Sequence, residues 1–213
     1  MHITKTEFYS GCLIASISHA IMTNVYPELS YEQSWDGGNY SIQNLSGMRG
    51  TISFEKDYCV GAIRNEMSNR IGGDEFIREC LQNFPSKIVS KAYEETLQYF
   101  LLEIDGVIAP HVTSIFWADY NTIHYEEKYV EKIREDFILF ENILLPKKMA
   151  LEKWKGYYDM DSRVIELIDI LYQQRMKDFL SPIVLTNEQK KLIPGTFINE
   201  QCAEALKELK IVF

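Results

Sequence analysis

Between residues 39 and 64 the hydrophobic period of the chain switches to strict alternation, and this constrains the fold more than any other feature. In Asn39-Tyr40-Ser41-Ile42-Gln43-Asn44-Leu45, Tyr40 and Ile42 alternate with polar neighbours, and Ser46-Gly47 follows as a two-residue turn candidate. Met48-Arg49-Gly50-Thr51-Ile52-Ser53-Phe54 alternates again, with Met48, Ile52 and Phe54 on one side. Glu55-Lys56-Asp57 then forms a short polar loop before Tyr58-Cys59-Val60-Gly61-Ala62-Ile63-Arg64. Successive side chains of a strand point to opposite faces, so alternation marks a half-buried strand. Loops this short join only antiparallel neighbours. A meander of three strands is therefore expected.

The flanking segments carry helical spacing. Leu13, Ile17, Ala20, Ile21 and Val25 share one face of a helix expected over residues 7–25, which Pro27 stops because the residue before a proline leaves the α region. After the meander, Asp74 is placed to cap a helix bearing Ile77, Leu81 and Phe84. Ser86 is placed to cap another bearing Val89, Tyr93, Thr96 and Phe100, which Asp105-Gly106 would stop. Gly106 to Tyr120 reads as extended. From Tyr125 the chain reads as helical, with Val130, Ile133, Phe137 and Phe140 on one stripe and Ile165, Ile168, Tyr172, Met176 and Phe179 on a second. Thr186 with Gln189 forms a capping box for a short third helix, and Asn199 opens a last one with Cys202, Leu206 and Leu209 inward. The expected class is α+β: an N-terminal helix, an antiparallel meander of three or more strands with packed helices, and a C-terminal helical bundle portion. No repeat or Gly/Ser linker interrupts the chain, so residues 1–213 are expected to form a single domain, with a mixed part over 1–123 and a helical part over 124–213.

Composition bears on partners. The chain carries 22 Lys+Arg against 31 Asp+Glu, a net charge of −9. Phosphate contact needs a clustered basic surface, so a nucleic-acid partner is not expected. Residues 1–123 hold 8 Lys+Arg and 15 Asp+Glu, or −7, whereas residues 124–213 hold 14 and 16, or −2. A partner met through the first part is expected to be basic. Met1 to Phe8 contains one lysine and no apolar run, so it does not read as a leader. Cys12 to Met22 is about half the ~20 residues a membrane span needs. The four cysteines, Cys12, Cys59, Cys80 and Cys202, lie far apart without a C-x-x-C pair, which reads as free thiols in a cytoplasmic protein. His2, His19, His111 and His124 lack metal-ligand spacing, and no phosphate-loop, dinucleotide or nucleophile-elbow motif is present. Neither a metal nor a cofactor is expected.

Two segments stand out. In Tyr9-Ser10-Gly11-Cys12, a Ser10 cap would place Cys12 in the first turn of a helix, where backbone N–H groups favour a thiolate. His111 could supply an imidazole, with Asp119 or Glu126 to orient it. A cysteine at a helix start followed about a hundred residues later by a histidine on a strand resembles the broad layout of papain-like cysteine hydrolases and acyltransferases. That resemblance implies Cys12 as nucleophile, His111 as base and Asp119 as orienting carboxylate. Cys12 beside Leu13, Ile14 and Ile17 also reads as ordinary packing.

The second segment, Ser30 to Tyr40, concentrates Tyr31, Trp35, Asp36 and Tyr40 around Gly37-Gly38. Rigid aromatic side chains on a loop suit protein recognition, and the same residues also suit the edge of a core. Arg49 and Arg64 on neighbouring strands could hold a carboxylate or phosphate, as in a small-molecule pocket, or pair with Glu55 or Glu66. The expected function is a non-enzymatic interaction protein that binds another protein, by analogy with bacterial immunity and accessory proteins. Tyr31, Trp35, Asp36, Tyr40, Arg49 and Arg64 would be its binding residues, and a cysteine hydrolase or acyltransferase using Cys12 and His111 is the alternative.

Overall fold

The computed structural model describes residues 2–69, 71–178 and 180–213. Met1, which heads the segment read above as lacking a leader, and Phe179, expected on the second helical stripe, lie outside the described residues. In chain order the elements are α1 (Lys5–Met22), β1 (Gln33–Asp36), β2 (Asn39–Gln43), β3 (Met48–Phe54), β4 (Cys59–Asn65), α2 (Asp74–Leu81), α3 (Ser86–Glu94), β5 (Leu101–Ile104), β6 (Val107–Pro110), β7 (Ser114–Ala118), β8 (Ile123–His124), α4 (Val130–Asp136), α5 (Lys147–Tyr158), α6 (Ser162–Lys177), β9 (Ile183–Val184), α7 (Asn187–Lys190), α8 (Glu200–Glu208) and β10 (Ile211–Val212). The fold is α+β. The residues separate into two compact units, one of the chain up to Glu7 with Gly38–Glu141 and the other of Phe8–Gly37 with Asn142–Phe213.

The first unit contains the meander. β2, β3 and β4 run antiparallel in sequence order, with Tyr40 opposite Ile52 and Thr51 opposite Ala62. β7 returns after a long excursion to pair antiparallel with β4, and the two-residue β8 adds to β7. Both faces of the central strands are covered, which is why β3 and β4 are buried almost throughout instead of at every second residue. On one face Val60, Ala62 and Ile115 join Ile77, Cys80 and Leu81 of α2, Ile88 and Ala92 of α3, and Leu97 and Phe100 in one apolar cluster. Across the sheet, Phe116 packs edge-on to Phe137 and Phe140, with ring centroids 4.9 and 6.0 Å apart. Gly61 permits that approach, since a Cβ there would lie 2.1 Å from the Phe116 ring.

A buried polar network closes the far end of this unit. The Asp136 carboxylate accepts from Thr113 Oγ1 and Ser114 Oγ, each at 2.6 Å, and from Asn65 Nδ2 at 3.2 Å. Lys132 Nζ, also buried, lies 3.0 Å from the same group. A charge held without water needs this degree of pairing.

The second unit is mainly helical. Leu13, Ile17 and Ile21 of α1 are buried, and α1 packs closely enough that a Cβ at Gly11 would collide with the Ile143 carbonyl. His19 Nδ1 meets Tyr158 Oη at 2.8 Å inside this core. Tyr158 also stacks on Trp154 and Tyr26. Asp161 caps α6 by accepting from the Arg163 amide, the Thr186–Gln189 capping box forms as expected, and Asn199 caps α8 by accepting from the Cys202 amide. β9 and β10 form a two-stranded parallel sheet.

Several boundaries differ from expectation. α1 starts at Lys5 because Thr4 and Glu7 form a capping box: Glu7 Oε2 accepts from the Thr4 amide and Thr4 Oγ1 from the Glu7 amide. The helix opened by Ser86 ends at Glu94, and a 3-10 turn over Thr96–Phe100 feeds directly into β5. The stripe from Val130 to Phe140 is likewise divided, α4 giving way to a 3-10 turn at Phe137. Pro27 opens a 3-10 turn of its own after α1 ends.

Candidate interaction surface

β5 and β6 form a two-stranded antiparallel hairpin in a sheet of its own, with Leu101 opposite Pro110 and Ile104 opposite Val107. The loop has two residues, Asp105 at φ 51° and Gly106 at φ 78°. Two positive φ values give the type I′ geometry whose twist matches that of the flanking strands, and Asp-Gly is among the dipeptides that adopt it at least cost. The base is fixed by Leu97 and Phe100, both in the apolar cluster, and by the His111 amide, which donates to the Phe100 carbonyl at 3.0 Å.

Beyond that base the ribbon is apolar and open. Leu101, Ile104, Val107 and Ile108 are 41, 47, 64 and 67% exposed. By this register Ile104 and Val107 share one face of the ribbon and Leu101 and Ile108 the other, so large aliphatic side chains stand in water on both faces. The ribbon's charged residues are Glu103 and Asp105, both exposed, and neither has an ion-pair or side-chain hydrogen-bond partner among the described residues. The ribbon therefore offers aliphatic contact area together with uncompensated negative charge.

The residues singled out in the sequence fall elsewhere, and most are internal. Trp35 is only 8% exposed. Its indole N–H donates to the Gly37 carbonyl at 2.9 Å, its amide donates to Glu208 at 3.0 Å, and Tyr9 packs edge-on against it. Tyr40 is fully buried. Of the four residues of that loop Tyr31 and Asp36 are exposed, while Trp35 and Tyr40 are buried. Arg49 and Arg64 face each other across β3 and β4, and both bind Glu66, at 3.1 and 2.7 Å. Those arginines hold the Glu66 carboxyl below its ordinary pKa. Their charge is answered within the protein, as the Glu66 alternative anticipates.

The arrangement expected around Cys12 also changes. Ser10 lies inside α1 and its hydroxyl meets Tyr172 Oη at 2.7 Å, so it does not cap the helix. Cys12 is the eighth residue of α1, about two turns in, and is fully buried, away from the N-terminal amides that would favour a thiolate. The His111 ring rests near Gly73. Asp119 is committed to the β7–β8 turn: it accepts from the Asn121 and Thr122 amides and meets His124 Nε2 at 3.2 Å. The carboxylate meant to orient His111 thus orients His124, which stacks on Trp117. Glu126 accepts from Asn83. Burial pushes the Cys59, Cys80 and Cys202 thiols up to about 12, so none of those three is a nucleophile at neutral pH.

In the first unit a polar recess of about 510 Å³ is lined by Asn65, Ser68, Asn69, Glu131, Lys132 and Glu135. Its cation, Lys132, is already paired with Asp136. In the second unit a recess of about 360 Å³ has Met22, Tyr26, Tyr158 and Ile193 on its walls. Arg163 beside it is paired with Asp161 and Lys191 with Glu188. Among the described residues no three His, Cys, Asp or Glu side chains are grouped to hold a metal ion, and no helix is long and apolar enough to cross a membrane.

Sequence reasoning missed the hairpin because Phe100 continues the helical spacing of Val89, Tyr93 and Thr96. The available signal was Asp105-Gly106 between two apolar runs, Leu101-Leu102-Glu103-Ile104 and Val107-Ile108-Ala109-Pro110. No family model, curated protein or solved structure matches this chain.

Proposed function

We propose that this chain is a non-enzymatic protein-binding module that docks a basic partner protein through the β5–β6 hairpin. The observation that carries this reading is the exposure of Leu101, Ile104, Val107 and Ile108 on a ribbon whose base joins the apolar cluster through Leu97 and Phe100. Leaving that apolar area in water has a standing cost, at about 25 cal/mol per Å², that a partner would remove. Glu103 and Asp105, uncompensated in the folded chain, favour a partner presenting Lys or Arg, in line with the −7 carried by residues 1–123. The hydrolase alternative loses its support, since Cys12 is buried mid-helix and Asp119 is engaged with His124.

Site-specific photocrosslinking tests this. A benzophenone side chain at Val107, in the cells that make the protein, should trap one discrete partner rich in Lys or Arg at the contact. The same group at Leu45, more exposed still and distant in sequence, should not trap it. Equal trapping from both positions, or none from Val107, would reject the hairpin as the docking element.

A further inference from the structure

The hairpin has two outer edges, and they are not equivalent. A two-residue type I′ loop makes the flanking pair, Ile104 and Val107, the hydrogen-bonded pair, and such pairs alternate along an antiparallel ladder. Leu102 and Ala109 are then bonded to each other, while Glu103 with Ile108 and Leu101 with Pro110 are the non-bonded pairs. The bond from the His111 amide to the Phe100 carbonyl fits the same alternation. Leu101 and Glu103 therefore direct both amide and carbonyl outward from β5. On β6 the outward positions are Ile108 and Pro110, and Pro110 has no N–H to give. Just past β6 the chain is already paired, since Val112 and Gly72 exchange both backbone hydrogen bonds, at 2.9 and 3.1 Å. The β6 side is blunted and the β5 side is open.

We infer that the partner enters as an extended strand on the outer edge of β5, hydrogen-bonding to Leu101 and Glu103 and presenting Lys or Arg to Glu103 and Asp105. The inference rests on the hairpin docking reading and specifies its mode. Strand addition draws affinity from main-chain bonds and selectivity from alternate side chains. A second copy of this chain is a poor occupant, because edge-to-edge pairing would bring two Glu103 and two Asp105 carboxylates together without a cation.

The test uses two synthetic ten-residue peptides, one alternating Lys with Val and one alternating Glu with Val, with fluorescence anisotropy against the full chain. The Lys peptide should bind saturably and the Glu peptide should not. Glu103→Ala keeps the amide and removes the charge. Glu103→Pro removes both at a position where the N–H points out of the hairpin, so it should bind about fivefold or more weakly than Glu103→Ala. Ile108→Pro makes the equivalent change on the other edge and should bind as Ile108→Ala does. Amide hydrogen exchange on the unaltered protein provides a readout independent of variant folding: the Leu101 and Glu103 amides should slow when the Lys peptide is added, and the Ile108 amide should not. Equal affinity of Glu103→Pro and Glu103→Ala, protection at Ile108 instead of Glu103, or no binding of the Lys peptide would overturn strand addition. If Ile104→Lys with Val107→Lys abolishes binding while each proline variant binds as its alanine counterpart does, docking on the hairpin survives and the strand mode alone falls. If that double variant also binds normally, the docking reading itself falls.

Discussion

The stability of the second unit should fall between pH 7 and pH 4.5 by an amount traceable to His19. Its imidazole is fully buried on α1, Nδ1 meets Tyr158 Oη, and burial lowers its pKa from 6.5 to about 4, opposed only in part by the Ser30 carbonyl. In the unfolded chain the same ring titrates near 6.5, so below that pH the unfolded state takes up a proton that the folded state resists. The stabilisation is therefore complete above pH 6.5 and is lost as pH falls towards 4. At about 1.4 kcal/mol per pH unit the full gap corresponds to about 3 kcal/mol, of which about 2 kcal/mol is lost by pH 4.5. Urea unfolding at both pH values, on the parent and on His19→Gln, isolates this contribution. Glu32 and Glu208, whose carboxyls burial raises, titrate in both proteins and cancel in the difference. The parent should lose about 2 kcal/mol more than the variant on acidification. Equal losses would show that His19 is not a buried neutral ring and that the core around Tyr158 is wrongly understood.

Other substitutions probe the core of each unit. Asp136→Ala leaves Lys132 buried beside only Glu135, 3.5 Å away, and should cost about 3–5 kcal/mol in chemical denaturation, whereas Asp136→Leu with Lys132→Met should recover most of that loss. Gly61→Ala puts a methyl group into the Phe116 ring and should cost about 1–3 kcal/mol by the same measurement. Trp35→Ala should cost about 3–5 kcal/mol and leave hairpin docking intact once the protein is folded, since the ring is core.

The meander was legible because its side chains change face at every residue: the expected runs at 39–45, 48–54 and 58–64 correspond to β2, β3 and β4. The N-caps at Thr186 and Asn199 were legible because capping depends on local side-chain chemistry. Thr4-x-x-Glu7 carries the same signal, but the apolar face that begins beyond it drew the boundary inward. Burial of Trp35 and Tyr40 was not legible. An aromatic loop residue looks the same in sequence whether it meets a partner or its own chain, and only tertiary contacts such as Tyr9 against Trp35 decide. The hairpin was hidden for a related reason, since four residues of apolar strand after a helix continue the helical pattern until the turn chemistry at Asp105-Gly106 is weighed against it.

The most direct measurement takes the partner trapped from Val107, purified, and titrates it against the parent and against Ile104→Lys with Val107→Lys, with thermal unfolding of both chains in parallel. Because these side chains are already 47 and 64% exposed, the double variant should keep its melting temperature while its affinity drops by about a hundredfold or more, as two lysines meet a basic surface. An unchanged affinity, or a melting temperature that collapses with the substitutions, would mean that the ribbon belongs to the chain's own packing and that the partner is bound elsewhere.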